Sequence, residues 1–141
     1  SEGNYEAGAL NVVAGGLRVG GSIVSTGAVA PTTTPTTGQK VYRVYGGDST
    51  AGGASWSSVD PSTVPNYRNA AGLPSGGASG ANNTGRFVIE GTLTDPSKVA
   101  MARSALPLDG NTGGIAEYII PNWMNNGAVK VINVGGANPP F

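Results

Sequence analysis

From Lys40 onward, short apolar runs alternate with glycine- and proline-rich breaks, a spacing that suits strands better than long helices. Val41–Tyr45 reads as a strand ended by Gly46 and Gly47. Alternation puts Val41, Arg43 and Tyr45 on one face and Tyr42 and Val44 on the other. Ala51–Val59 carries loop residues around Trp56 and has room for another short strand. Asp60–Asn69 reads as helical, because Asp60 can cap a first turn whose first position suits Pro61. Ala71–Asn83 is a loop rich in glycine and serine. Arg86–Leu93, Ile115–Pro121 and Ala128–Val134 are strand candidates, the last with the best alternation. Asp95-Pro96 starts a turn, or a very short helix over Ser97–Arg103.

The first 39 residues are different in kind. Leu10–Val13 and Leu17–Val24 are apolar patches broken by Gly15, Gly16, Gly20 and Gly21. Ala28–Gly38 is a threonine, proline and alanine tract without periodicity, which reads as a linker. Residues 1–39 are therefore expected to be a partly disordered linker or junction to a larger protein; the rival expectation is a short helix over Tyr5–Val13. Residues 40–141 are expected to form one domain, since 141 residues suit a single core. Glycine, 24 of 141 residues, gathers between the strand candidates. That favours an α+β class with a small sheet, short helices and long glycine-rich loops.

The chain has no cysteine and no histidine. Thiolate catalysis, cysteine metal sites and disulfides are excluded, as are Ser-His-Asp chemistry and histidine metal sites. No metal ligand set is expected. Eight basic and eight acidic residues cancel, so charge alone gives no hold on a polyanion, though local clustering leaves nucleic acid open. No run approaches the length of a membrane span, and no membrane insertion is expected of this domain.

Five places carry candidate chemistry. Arg43, inside an apolar strand, reads either as an exposed edge-strand arginine or as a fork that holds a phosphate or carboxylate. Ser55-Trp56-Ser57 follows Gly52-Gly53; Trp56 reads first as core and the serines as turn or substrate-orienting hydroxyls. Asn83-Thr84-Gly85-Arg86 suits a turn or a ligand rim. Glu117, an acid within an apolar strand, needs either a salt-bridge partner or a catalytic task. Glu90 is the competing carboxylate, and with Glu117 it would supply a glycosidase pair.

The series Tyr42-Arg43-Val44-Tyr45-Gly46-Gly47, Gly53-Ala54-Ser55-Trp56, Tyr67-Arg68-Asn69 and Ala71-Gly72-Leu73-Pro74 resembles C-terminal toxin domains of bacterial polymorphic toxins. Its continuation through Asn83–Phe87, Ala105–Asn111, Gly113-Gly114 and Glu117 does so too. Such domains end Rhs-type and filamentous-haemagglutinin-type proteins. Among them the chain is most similar to ADP-ribosyltransferase toxins directed at an elongation factor of translation.

The resemblance implies a small split antiparallel sheet of ADP-ribosyltransferase-like type that takes NAD as its substrate. It implies Arg43, Ser55 and Glu117 as the catalytic set, with Arg43, Ser55, Trp56, Thr84 and Arg86 holding the NAD. Ile115 stands where many relatives carry a second Glu or Gln, which leaves the acceptor open, water and nucleic acid included. Also implied are interbacterial competition by contact-dependent growth inhibition, a cognate immunity protein, and delivery from a secreted or surface-displayed protein into a target bacterium's cytoplasm. The alternatives are NAD glycohydrolase activity, a non-enzymatic binding module and a metal-independent ribonuclease toxin. The binding module would pair Arg43 with Glu117 structurally. The ribonuclease would use Arg43, Arg68, Arg86, Arg103 and Lys98 with Glu90 or Glu117.

Overall fold

A computed structural model describes residues 34–141. The apolar patches before residue 34 and the rival helix over Tyr5–Val13 lie outside the described residues. The end of the threonine-proline tract is already bound to the domain. The Gly38 N–H donates to the Leu93 carbonyl at 2.8 Å, and the Gln39 amide donates to the Tyr118 hydroxyl at 3.1 Å.

Two three-stranded antiparallel sheets make up the fold. The first has the order β1 (Lys40–Gly47), β3 (Asn83–Leu93), β6 (Val129–Gly136). The second has the order β2 (Ser55–Trp56), β5 (Ala116–Ile119), β4 (Met101–Ser104). A bridge between Tyr42 and Ser57 links β1 to the end of β2. Among the described residues the α-helices are single turns: α1 (Tyr67–Ala71) and α2 (Trp123–Asn126). The class is α+β, as the strand pattern implies, but the sheets do not close into the ADP-ribosyltransferase-like fold that the resemblance implies. β2 is only two residues long, and a left-handed glycine, Gly72 or Gly127, stops each helix after one turn.

The expected helix over Asp60–Asn69 divides in two. Asp60 caps a 3-10 turn at Pro61–Thr63, and Asn66, in the left-handed region, starts α1 after Pro65. The larger miss is β4. Its sequence, Met-Ala-Arg-Ser, has no β-branched residue and reads as a helix end, yet pairing along β5 makes it a strand.

Alternation sorts the apolar residues into two clusters. Val41, Tyr45, Ile89 and Leu93 from the first sheet meet Trp56 and Tyr118 from the second, with Trp123 edge-on to Trp56 at 5.0 Å. Val44 and Val88, on the opposite face, pack with Val64, Tyr67, Ile115 and Phe141. Gly91 marks a register shift in β3, where a side chain would strike Val129.

Asp109 holds the Ser75–Ser79 part of the glycine-serine loop. Asp109 accepts from the Ser75 N–H at 2.8 Å, the Ser79 N–H at 2.9 Å and the Ser79 hydroxyl. These donors lower its pKa to about 2. A carboxyl with a depressed folded pKa contributes stability that is fully present above its unfolded pKa and lost as pH falls through the folded one. Amide hydrogen exchange at Ser75 and Ser79 should therefore hold steady above about pH 4 and accelerate, relative to the intrinsic rate, on acidification toward pH 2.

Gly113 leads into β5 at φ 71°, and a Cβ there would lie 2.4 Å from the Ala105 carbonyl oxygen. Gly113→Ala should cost about 1–3 kcal/mol in a urea titration, from left-handed strain added to that collision.

Candidate functional site

A cleft of about 410 Å³ opens over the face of the second sheet that points away from the aromatic core. Trp56 and Tyr118 turn inward from β2 and β5. Strand alternation then turns Ser55 and Glu117 the other way, into the cleft. Arg103 stands directly across from Glu117 in the β4–β5 register. Tyr42 from β1, Tyr67 from α1, and the Leu73–Pro74 and Leu106–Leu108 segments complete the walls.

Glu117 is held at both oxygens. The Ser55 hydroxyl donates to Oε2, and the Arg103 Nε–H donates to Oε1 at 2.8 Å. Its residual exposure is 9%, so these two donors replace most of the water a free carboxylate would hold. Arg103 remains one-third exposed. Two neutral phenols accompany the carboxylate. Burial, with repulsion from Asp60 and Glu90, pushes Tyr42 up to about 12. Burial pushes Tyr67 higher still, against a hydrogen bond from Ser57 that lowers it. Neither phenol ionises near neutral pH.

Arg43 is not an exposed edge residue, and it is Arg103 that stands in register with Glu117 and forms an ion pair with it. At 6% exposure Arg43 donates from Nε to the Ala51 carbonyl at 3.0 Å and from Nη1 to Ser55 at 2.9 Å. Nη2 donates to the Thr50 carbonyl. The guanidinium borders the cleft, but its work is to fold the chain from Thr50 to Ser55. Gly53 makes room for it, since a Cβ there would lie 2.1 Å from Nη2. From the other side, the Trp123 indole N–H donates to the Gly53 carbonyl at 3.0 Å and the Ile120 N–H to Ala54 at 2.8 Å.

The structure thus brings together Arg43, Ser55 and Glu117, three residues that are far apart in the chain. Of the rest of the expected set, Trp56 reaches the cleft's lining, while Thr84 and Arg86 do not. The Trp56 ring is fully buried against Trp123, so it serves the core and offers no stacking platform. Thr84 and Arg86 line a separate surface depression with Phe87, Ala137 and Pro140. Thr84 Oγ1, lying where a side chain on Gly46 would go, finds no hydrogen-bond partner among the described residues. Glu90 pairs with Lys40 at 3.0 Å and does not line the cleft, so the two carboxylates form no glycosidase pair. Of the five cations a ribonuclease would need, only Arg43 and Arg103 border the cleft. Arg68 instead ties Phe141, Pro74 and Asn83 together through their carbonyls.

Sequence reasoning missed Arg103 as the partner of Glu117, and it missed Tyr42 and Tyr67 as cleft walls. The signal for Arg103 was its place beside an apolar strand holding an unpaired acid, but only strand register identifies which arginine answers it. Among the described residues no group of three acidic side chains could hold a metal.

No family model, curated protein or solved structure matches the chain. The expected identity as a polymorphic toxin and ADP-ribosyltransferase, with its part in contact-dependent growth inhibition, has no relative to rest on and is withdrawn.

Arg43→Ala removes the donors of three carbonyls at once and should lower stability by about 3 kcal/mol or more. Arg43→Lys should recover only part, because one ammonium cannot span carbonyls that a planar fork reaches. Urea midpoints of the three proteins measure this, and an unchanged midpoint for Arg43→Ala would remove the role of Arg43 as a strut.

Proposed function

We propose that the cleft breaks the bond between nicotinamide and ribose in NAD. The observation that carries this reading is the carboxylate of Glu117, oriented by Ser55 and Arg103 in a cleft whose other titratable groups, among the described residues, are two phenols and two guanidinium groups. Most glycosidic leaving groups need a proton, and hydrolysis of a sugar ether generally enlists a second carboxyl group to supply it. Phenols raised as far as Tyr42 and Tyr67 are poor acids near neutral pH. The arrangement therefore favours a leaving group that departs without protonation, and a cationic pyridinium nitrogen is one.

In this reading the C–N bond breaks with its electron pair going to nicotinamide, which leaves neutral. Positive charge develops on the ribose ring. The Glu117 carboxylate, fixed before reaction, stabilises that charge with little reorganisation. A water molecule, or another nucleophile, adds to the ribose carbon and gives its proton to solvent. The volume of about 410 Å³ lies within the range of small-molecule sites, roughly 300–1,000 Å³. The Leu73, Leu106 and Leu108 walls give the pyridine ring an apolar surface.

Nicotinamide release from NAD by the purified chain, alone and with bacterial lysate, is the direct test; no release in either mixture counts decisively against the reading. Glu117→Gln keeps the size and removes the charge. It should slow release by about 10²–10³, or roughly 3–4 kcal/mol of transition-state stabilisation, while the variant still folds. A folded Glu117→Gln protein working at the wild-type rate removes Glu117 from the chemistry. A variant that loses about 3–5 kcal/mol of stability points to Glu117 as half of a structural pair with Arg103.

A further inference from the structure

Among the described residues two cations border the cleft, and they are in different states. Arg43 is buried and directs each of its three nitrogens at a backbone carbonyl. Arg103 has a side chain one-third exposed, on β4 at the edge of its sheet. Its Nε–H is on Glu117, and its Nη1 meets the Met101 thioether at 3.5 Å, a weak acceptor easily given up. An anionic ligand entering this cleft therefore meets Arg103 and not the committed Arg43. The same geometry masks the carboxylate, because a guanidinium at 2.8 Å from Oε1 neutralises the charge that would stabilise a cation.

We infer that Arg103 is the anion-recognition residue of the cleft, and that a phosphate or pyrophosphate ester draws its guanidinium off Glu117. The ligand itself then unmasks the carboxylate. The fork of an arginine matches a phosphate's oxygens as well as a carboxylate's, so the exchange replaces one charge-assisted pair with another. Ser55 keeps its hydrogen bond to Oε2 throughout, so the carboxylate stays oriented while it is released from the cation. The consequence for turnover rests on the NAD reading above; the anion exchange does not. A nicotinamide glycoside without phosphate would leave Arg103 in place and meet a masked carboxylate.

The test titrates inorganic pyrophosphate into the full chain while following the Arg103 Nε–H signal by nitrogen-15 NMR. Saturable binding that shifts this signal is expected. Arg103→Gln should weaken that binding about tenfold or more, and Arg103→Lys should restore part of it. Because Arg103→Gln leaves Glu117 without its cation, melting of each variant is recorded first, and the double variant Arg103→Gln/Glu117→Gln is titrated as a neutral counterpart. No binding by the wild type, or equal binding by folded Arg103→Gln, overturns the inference. With turnover, the wild type should favour NAD over nicotinamide riboside by about tenfold or more, and Arg103→Gln should lose most of that preference. An undiminished preference in Arg103→Gln overturns it as well. Pyrophosphate binding through Arg103 in a wild type that releases no nicotinamide would support the anion exchange and sink the NAD reaction.

Discussion

A buried guanidinium folded into a ring of backbone carbonyls is the interaction on which the site depends. Arg43 lies on the strand face that also carries Val41 and Tyr45, a face otherwise given to the aromatic core. A cation there is costly unless its donors are met. The carbonyls of Thr50, Ala51 and Ser55 meet them, and that requirement dictates the path of the chain from β1 to β2. Gly53 is needed at the centre of that path because the guanidinium fills the space of a side chain. Trp123 and Ile120 fix the Gly53 and Ala54 carbonyls from the core side. Ser55 therefore enters β2 already placed, which matters because β2, at two residues, has little pairing of its own.

The second sheet divides its two faces between the core and the cleft. Trp56 and Tyr118 are paired across β2 and β5 and are both buried in the core. One residue along each strand, Ser55 and Glu117 face the cleft. A carboxylate on that face, left alone, would lose its hydration with nothing to replace it. Ser55 and Arg103 give it fixed partners, and together they aim its charge. Without histidine, the cleft's means of orienting and stabilising charge rest on Glu117, Ser55 and Arg103.

Much of this was legible in the residues themselves. The capped start at Asp60-Pro61, though not one continuous helix to Asn69, the strands around Val41–Tyr45, Arg86–Leu93 and Ala128–Val134, and the glycine breaks between them all follow from local rules. Glu117 stood out because an acid in an apolar strand must find a partner. Tyr42-Arg43-Val44 showed an arginine in a similar position, and the exclusion of histidine and thiol chemistry needed nothing beyond composition. Where local rules and pairing disagreed, pairing prevailed: Met101–Ser104 is a strand because β5 offers an edge to it, not because its residues favour one.

The sequence by itself determined the α+β class, the main strands and the short list of residues with chemistry to offer. It did not determine who meets whom. An antiparallel register is a long-range fact, and a slip of one residue would turn Glu117 into the core and Tyr118 into the cleft. Only the tertiary structure put Arg103 opposite Glu117, gave Arg43 to the carbonyls of the next loop, sent Trp56 inward and left Thr84 and Arg86 outside the cleft. The reason is that hydrogen-bond capacity and charge are properties of a residue, while the partner that satisfies them is chosen by how separate segments pack.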